Sequence, residues 1–309
     1  MRVQEAIEEY RYNITRLTDA TQRWYNDKLK VFGAWCDAQN IELEKLKPRD
    51  IGAFIDTLRP RVNPHTQKLI SSYTLNGYGR VIRAFLSWCA REYEDTVSPK
   101  LSQRVVLPKI EQRLIETFTI EHLRALFAAC EREFREELRL RDRAILSLLI
   151  DTGLRANELV TLTLGNVHIS PEEGWIIVMG KGRKEREMSL GTKSRQTLHK
   201  YIRRYRKQTR PEDVVFVSRF HKPMTVNGLD TIIYRLGRWA NVKGVRVSAH
   251  TFRHTFAVNF MLGGGDVYLL SRMLGHSTVS ITENYLKDMK TQQARKQTHS
   301  VLDNMEKGK

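Results

Sequence analysis

The sequence predicts a mainly α-helical protein with a small antiparallel β-sheet in its second half, arranged as two domains. Three observations point there. Apolar residues recur at three- and four-residue spacings along most of the chain. A β-rich run that can fold back on itself is confined to Trp175–Leu190. A segment without periodicity, punctuated by Pro99 and Pro108, separates the two periodic halves.

In the first half, Tyr25, Leu29, Phe32 and Cys36 form an amphipathic stripe within a helix expected over 18–40. Pro48 opens a second helix with Ile51, Phe54, Ile55 and Leu58 inward, and Pro60 ends it. A third helix, Ser72 to Tyr93, turns Leu75, Tyr78, Ile82, Phe85 and Cys89 to the core. Residues 96–118 read as a basic, extended connection. The domain bounds expected are 1–107, a linker at 108–118, a second domain at 119–290 and a tail at 291–309.

The second half begins with a helix near Thr119 whose inward residues are Leu123, Leu126, Phe127 and Cys130. A helix over Leu140–Thr152 is closed by Gly153. Trp175–Met179 and Glu187–Leu190 form a hairpin with Lys181 at or near its tip, and Val214–Val217 are a further candidate strand. Helices are expected at about 193–207, 225–240, 249–262, 266–274 and 278–290.

Composition narrows the function classes. A chain of 309 residues with 41% hydrophobic content is long enough for two cores. No apolar run approaches the ~20 residues that span a bilayer, and the start M-R-V-Q-E-A-I-E-E-Y has no secretion core. A cytoplasmic protein without a membrane partner is expected. Cys36, Cys89 and Cys130 are far apart and form no C-x-x-C pair, so they read as core residues rather than as a disulfide framework or zinc site. No metal or cofactor is expected.

The net charge of +17 is unevenly spread: Lys181–Arg210 alone hold 12 basic and 2 acidic residues. A focused basic surface suits a polyanion such as DNA or RNA. The competing explanation is a solvated basic surface with no partner.

The chemistry-bearing residues are Arg155 in T-G-L-R-A-N-E-L, Lys181 in G-K-G, His250 and Arg253 in H-T-F-R, His276 in L-G-H and Tyr285. Taken singly, each has a plain explanation. Arg155 with Glu158 could be a surface ion pair, worth little. His250 and Arg253 share one helix face, with Ser248 as a candidate N-cap. Lys181 could touch phosphate only electrostatically, as its neighbours Arg183, Lys184 and Arg186 are expected to do. A lone tyrosine at helical spacing is usually core or rim. Together, two guanidiniums, two imidazoles, an ammonium and a phenol are what is needed to hold a phosphodiester and attack it without a metal.

These boxes, in this order and spacing, resemble those of the tyrosine recombinases of the phage-integrase family, Xer-like and transposon integrases among them. The resemblance covers about residues 18–290. It implies a DNA-breaking-rejoining fold with a SAM-like, N-terminal core-binding domain. It implies that Arg155 and Arg253 clamp the scissile phosphate, that His250 hydrogen-bonds it and helps manage the tyrosine proton, and that His276 adds another hydrogen bond. Lys181 would be the general acid and Tyr285 the nucleophile, with Glu158 in a supporting place. The implied partners are double-stranded DNA, further copies of the chain in a tetramer, and accessory proteins as candidates. A type IB-like topoisomerase and a non-catalytic DNA-binding protein on the same scaffold are the alternatives. The complete set of six residues counts against the second of these.

Overall fold

A computed structural model describes residues 1–64, 67–94, 96–111, 116–180, 185–207, 209–276, 278–280 and 282–283. Lys181 and Tyr285 lie outside the described residues, as does most of the helix expected at 278–290. The chain divides into two compact units, Met1–Arg113 and Leu114–Lys309.

The first unit is helical: α1 (Val3–Asn13), α2 (Asp19–Ala38), α3 (Pro48–Leu58), α4 (Ser72–Glu92) and α5 (Pro99–Gln103). Local chemistry sets the starts. Thr18 and Ser71 accept hydrogen bonds from the N–H groups of Thr21 and Thr74, and Pro48 occupies the first turn of α3, where a missing N–H costs nothing. The expected inward residues Leu29, Phe32, Cys36, Ile51, Phe54, Ile55, Leu58, Leu75, Ile82, Phe85 and Cys89 are buried in one cluster. Tyr25 and Tyr78 pack at its edge.

Two features depart from the expectation. The N-terminal segment is α1, whose Val3, Ala6, Ile7 and Tyr10 are buried in the same core. Its polar composition hides a narrow apolar stripe at 3, 6, 7 and 10. The segment from 96 is not simply extended: Pro99–Gln103 is helical, and Val97, Leu101 and Val105 are buried with the first unit. Pro99 sits at a helix start, where proline initiates rather than breaks.

The second unit is mainly helical around one core, with a three-stranded antiparallel sheet. Its elements are α6 (Ile120–Ala129), α7 (Glu136–Thr152), α8 (Ala156–Val160), β1 (Val167–Ile169), β2 (Gly174–Met179), β3 (Glu185–Ser189), α9 (Thr192–Tyr205), α10 (Val226–Trp239), α11 (Ala249–Leu262) and α12 (Val267–Leu274). The sheet order is β1-β2-β3, with Ile176 opposite Met188 and Val178 opposite Arg186. Leu126 and Cys130 are buried, and Leu123 and Phe127 pack against the same core. All three cysteines are buried and unpaired.

The run Val214–Val217 does not join the sheet. It makes only isolated bridges, Thr163 with Val214 and Val217 with Pro223. The chain beside it turns into a 3-10 helix at Leu164–Asn166, so the ladder cannot extend. Val215 and Phe216 are buried as core filling instead of as a strand face.

Helix α7 ends as expected at Gly153, which has φ 62 and donates its N–H to the Leu149 carbonyl. A Cβ at Gly153 would lie 2.6 Å from the Phe256 ring, so this closure needs both the left-handed backbone and the missing side chain. That close approach seats α11 against the end of α7.

Candidate active site

Two helix C-termini build the site. At the end of α12, Gly275 adopts φ 63 and the His276 N–H reaches back to the Ser271 carbonyl. The Gly275 N–H takes the Arg272 carbonyl. The next three carbonyls each accept from a different arginine. Met273 O accepts from Arg186 Nε at 2.7 Å, Leu274 O from Arg253 Nη2 at 2.6 Å, and Gly275 O from Arg155 Nη2 at 3.0 Å. At the end of α7, Gly153 O accepts from Arg253 Nη1 at 2.8 Å. Helix C-termini carry unpaired carbonyls and partial negative charge, so they are natural seats for cations.

Three guanidiniums are therefore gathered around one turn, and one carboxylate stands between two of them. Glu158 Oε1 accepts from Arg155 Nη1 at 2.9 Å, and Oε2 accepts from the Arg155 backbone N–H at 2.9 Å and from Arg186 Nη2 at 2.7 Å. This is not a surface pair: the Glu158 side chain is 5% exposed. Burial pushes its carboxyl up. The Arg186 hydrogen bond, the Arg155 N–H, the Arg186 charge and the Arg155 side-chain hydrogen bond outweigh that and hold it below the usual carboxylate range.

His276 is half-buried beside Arg253, with Nε2 at 2.9 Å from Arg253 Nη2 and Nδ1 at 2.8 Å from Thr282 Oγ1. A guanidinium can only donate, so His276 Nε2 accepts and the ring proton sits on Nδ1. Burial, then the charges of Arg253, Arg155 and Arg186, push the ring down to about 4, so it is neutral at pH 7.

His250 and Arg253 lie on α11, with Ser248 accepting from the Thr251 N–H at its start as expected. Arg253 is buried and His250 is exposed. His250 Nε2 stands 3.0 Å from Nε2 of His254, so one of the two rings donates and the other accepts. Burial, then the charges of Arg253 and Arg246, lower the His250 ring. Burial, followed by His250, Arg253 and His276, pushes the buried His254 down to about 3.

The downward histidine shifts have a sign that can be measured. Between the ordinary imidazole value of 6.5 and the folded values of about 4 and about 3, the unfolded chain binds more protons than the folded one. Stability from these rings is full above about pH 6.5 and is lost as pH falls toward the folded values. Thermal melts should show the unfolding midpoint dropping from pH 7 to pH 5. The drop should be shallower in His254→Gln. Parallel slopes for the two proteins would remove His254 from the explanation.

Among the described residues, then, the structure brings Arg155, Arg253 and His276 together, while His250 is hydrogen-bonded to His254 and lies close enough to feel the charge of Arg253. Arg186 was expected to touch phosphate with its basic neighbours. Its side chain is instead engaged with Glu158 and the end of α12. The signal was present in the alternation of β3, where Arg186 shares the inward face with Met188 while Glu185, Glu187 and Ser189 point out. His254 and Thr282 were also missed. Other members of the basic segment are tied inside the unit too. Arg204 pairs with Glu136, Arg206 donates to Val214 O, and Arg210 pairs with Glu212. No described helix is long and apolar enough to cross a membrane.

Comparison with known proteins identifies the family and the fold. Residues 116–292 match the phage integrase family. The chain is 34% identical over 274 residues to the tyrosine recombinase XerD of Pseudomonas aeruginosa, covering 87% of each. It is 28% identical over 278 residues to the tyrosine recombinase XerC of Staphylococcus carnosus, covering 89% of this chain and 88% of that protein. Its fold is similar to that of the XerH site-specific recombinase bound to its palindromic difH substrate, with a TM-score of 0.73 at 18% identity, covering 90% of this chain and 79% of that one. The Tn1549 transposon integrase in complex with a circular intermediate DNA has a TM-score of 0.73 at 18% identity, covering 96% of this chain and 98% of that one. The chain belongs to the phage integrase family, among its tyrosine-type site-specific recombinases.

Proposed function

We propose that the protein breaks and rejoins double-stranded DNA by transesterification, with Arg155, Lys181, His250, Arg253, His276 and Tyr285 as its catalytic residues. The Tyr285 oxygen attacks the phosphorus and the 5′ oxygen leaves, forming a 3′-phosphotyrosyl bond. Lys181 supplies the proton to the leaving oxygen, and His250 helps remove the phenolic proton. Arg155 and Arg253 hold the phosphate through the attack. Such pre-placed donors stabilise the charge that grows on the equatorial oxygens without a metal or ATP. A 5′ hydroxyl of a partner duplex then attacks the phosphotyrosine and reseals the strand. Two rounds pass through a Holliday junction in a tetramer of the chain on two duplexes.

The observation that carries this reading is the arginine cluster on the α12 turn that leads into His276, nine residues before Tyr285 in the sequence. Arg253 is held by uncharged carbonyls, and Arg155 and Arg186 share a single carboxylate, so the cluster keeps a net positive charge for an incoming anion. His276 fits the same role by a change of tautomer. When phosphate takes over Arg253 Nη2, Nε2 can carry the ring proton toward phosphate, and the Thr282 hydroxyl can donate to Nδ1. In this reading residues 1–107 bind DNA opposite the catalytic domain at 119–290, the linker at 108–118 lets the two close as a clamp, and the tail at 291–309 docks on a neighbouring copy.

The test is covalent capture. The full-length protein is incubated with sheared DNA of the replicon that encodes it, denatured, and collected with any linked DNA for sequencing. Protein-linked 3′ ends clustered at a discrete site, formed equally with and without EDTA, are expected. Cleavage that vanishes in EDTA would replace this mechanism with that of a metal-dependent nuclease.

A further inference from the structure

We propose that Arg186 is a positioning residue of the active site, tying strand β3 to the α12 C-terminal turn and to the Arg155–Glu158 pair. This inference rests on the recombinase reading above. It assigns a task to a residue outside the six expected catalytic groups.

The geometry of one side chain carries it. Arg186 spends Nε on Met273 O and Nη2 on Glu158 Oε2, both at 2.7 Å. It therefore bridges three separate pieces of the chain: β3, the start of α8 and the end of α12. The side chain is only 12% exposed. Its remaining nitrogen, Nη1, is buried without a hydrogen-bond partner. That nitrogen lies under Gly275, where an added Cβ would stand 3.1 Å from it and 3.5 Å from Arg155 Nη1. Gly275 thus serves twice: its φ of 63 ends the helix, and its missing side chain leaves room for two guanidiniums.

Removal of Arg186 would act through its neighbours. Glu158 would keep Arg155 but lose the partner on its far side, and its burial would then favour the neutral acid. A protonated Glu158 loses the charge that holds the Arg155 guanidinium and keeps only a weaker, neutral acceptor. Met273 O would lose its donor, and the turn that leads into His276 would lose one of its three arginine anchors. Arg186 is also the second residue of β3, five positions after Lys181 in sequence, so the same anchor fixes the strand that follows that segment. Charge supports the arrangement. Three guanidiniums and one carboxylate leave an excess of two positive charges, which suits a phosphodiester gaining a second negative charge as it is attacked.

Lysine cannot replace this arginine. Its single nitrogen is a point donor, whereas Met273 O and Glu158 Oε2 are met by different nitrogens of a rigid fork. Misplacement of catalytic groups by about 1 Å can cost on the order of 10²-fold in rate.

The experiment compares wild type, Arg186→Lys and Arg186→Met on a nicked duplex carrying the site recovered by covalent capture. Binding, single-turnover adduct formation and its pH profile are measured. Both variants should bind the duplex within about threefold of wild type and form adduct about 10²-fold more slowly. In Arg186→Met the acidic limb of the rate profile should move to higher pH, because Glu158 protonates sooner. The charged and titrating groups facing Glu158 are Arg155 from its own segment, Arg186 from β3 and His276 after α12. Adding Glu158→Gln should abolish that limb, which simple loosening of the fold would not do. Should Arg186→Met fail to fold, Arg186→Lys decides alone: adduct formation at the wild-type rate overturns the proposal. A rate loss matched by an equal loss of binding, with an unmoved pH profile, overturns it too. Wild type that forms no adduct defeats the recombinase reading itself, and this inference with it.

Discussion

Replacing Tyr285 with phenylalanine is expected to eliminate covalent protein–DNA product altogether while binding to the same duplex is retained. The substitution deletes one oxygen and keeps the ring. A phenol, with an ordinary pKa of about 10, becomes a nucleophile only where its proton is removed as it attacks. No neighbouring ring atom can take over once the oxygen is gone, so the loss is not a matter of degree. Denaturing gels of the nicked duplex with either protein read the outcome directly. Adduct persisting in Tyr285→Phe would move the nucleophile to another residue. Adduct in wild type with supercoil relaxation but no exchange between two duplexes would favour the topoisomerase alternative.

Arg253→Lys is expected to slow adduct formation by about 10² to 10³, the usual cost of losing one donor to a developing oxyanion. Arginine is required there for a reason visible before any DNA binds. Arg253 is 3% exposed and makes hydrogen bonds to Gly153 O, Leu274 O and the His276 ring. Lysine keeps the charge but cannot meet two helix ends at once. One buried carbonyl then loses its partner, at about 1–3 kcal/mol. The same variant should therefore also unfold at lower urea concentration. Adduct formation within threefold of wild type, measured well below the unfolding transition, would remove Arg253 from the phosphate clamp.

Much of this was legible beforehand because the relevant physics is local. The stripes at 29, 32 and 36 and at 51, 54, 55 and 58 are helical periodicities, and they are buried as read. Ser248 caps α11, α6 starts beside Thr119 and Gly153 closes α7, each a matter of a few adjacent residues. The mainly helical class with a small sheet, and the family, followed from such local signals together with the ordered motif boxes. Misreadings came where a local rule had two outcomes. Pro99 was read as punctuation but starts a helix, and Val214–Val217 had strand composition but no edge to pair with.

The chain alone therefore specified the family, the helical class and most of the helices among the described residues, because capping, periodicity and motif spacing act over one or two turns. Folding decided what the site residues rest on. Three consecutive carbonyls at the end of α12 each take a different arginine, from positions as far apart as 155, 186 and 253. Glu158 is buried between two of them, and Arg186 is an anchor within the unit. Nothing in a linear sequence shows which main-chain oxygens a helix end leaves unpaired toward a distant side chain. That pairing exists only once the helices have packed and water has been excluded from their ends.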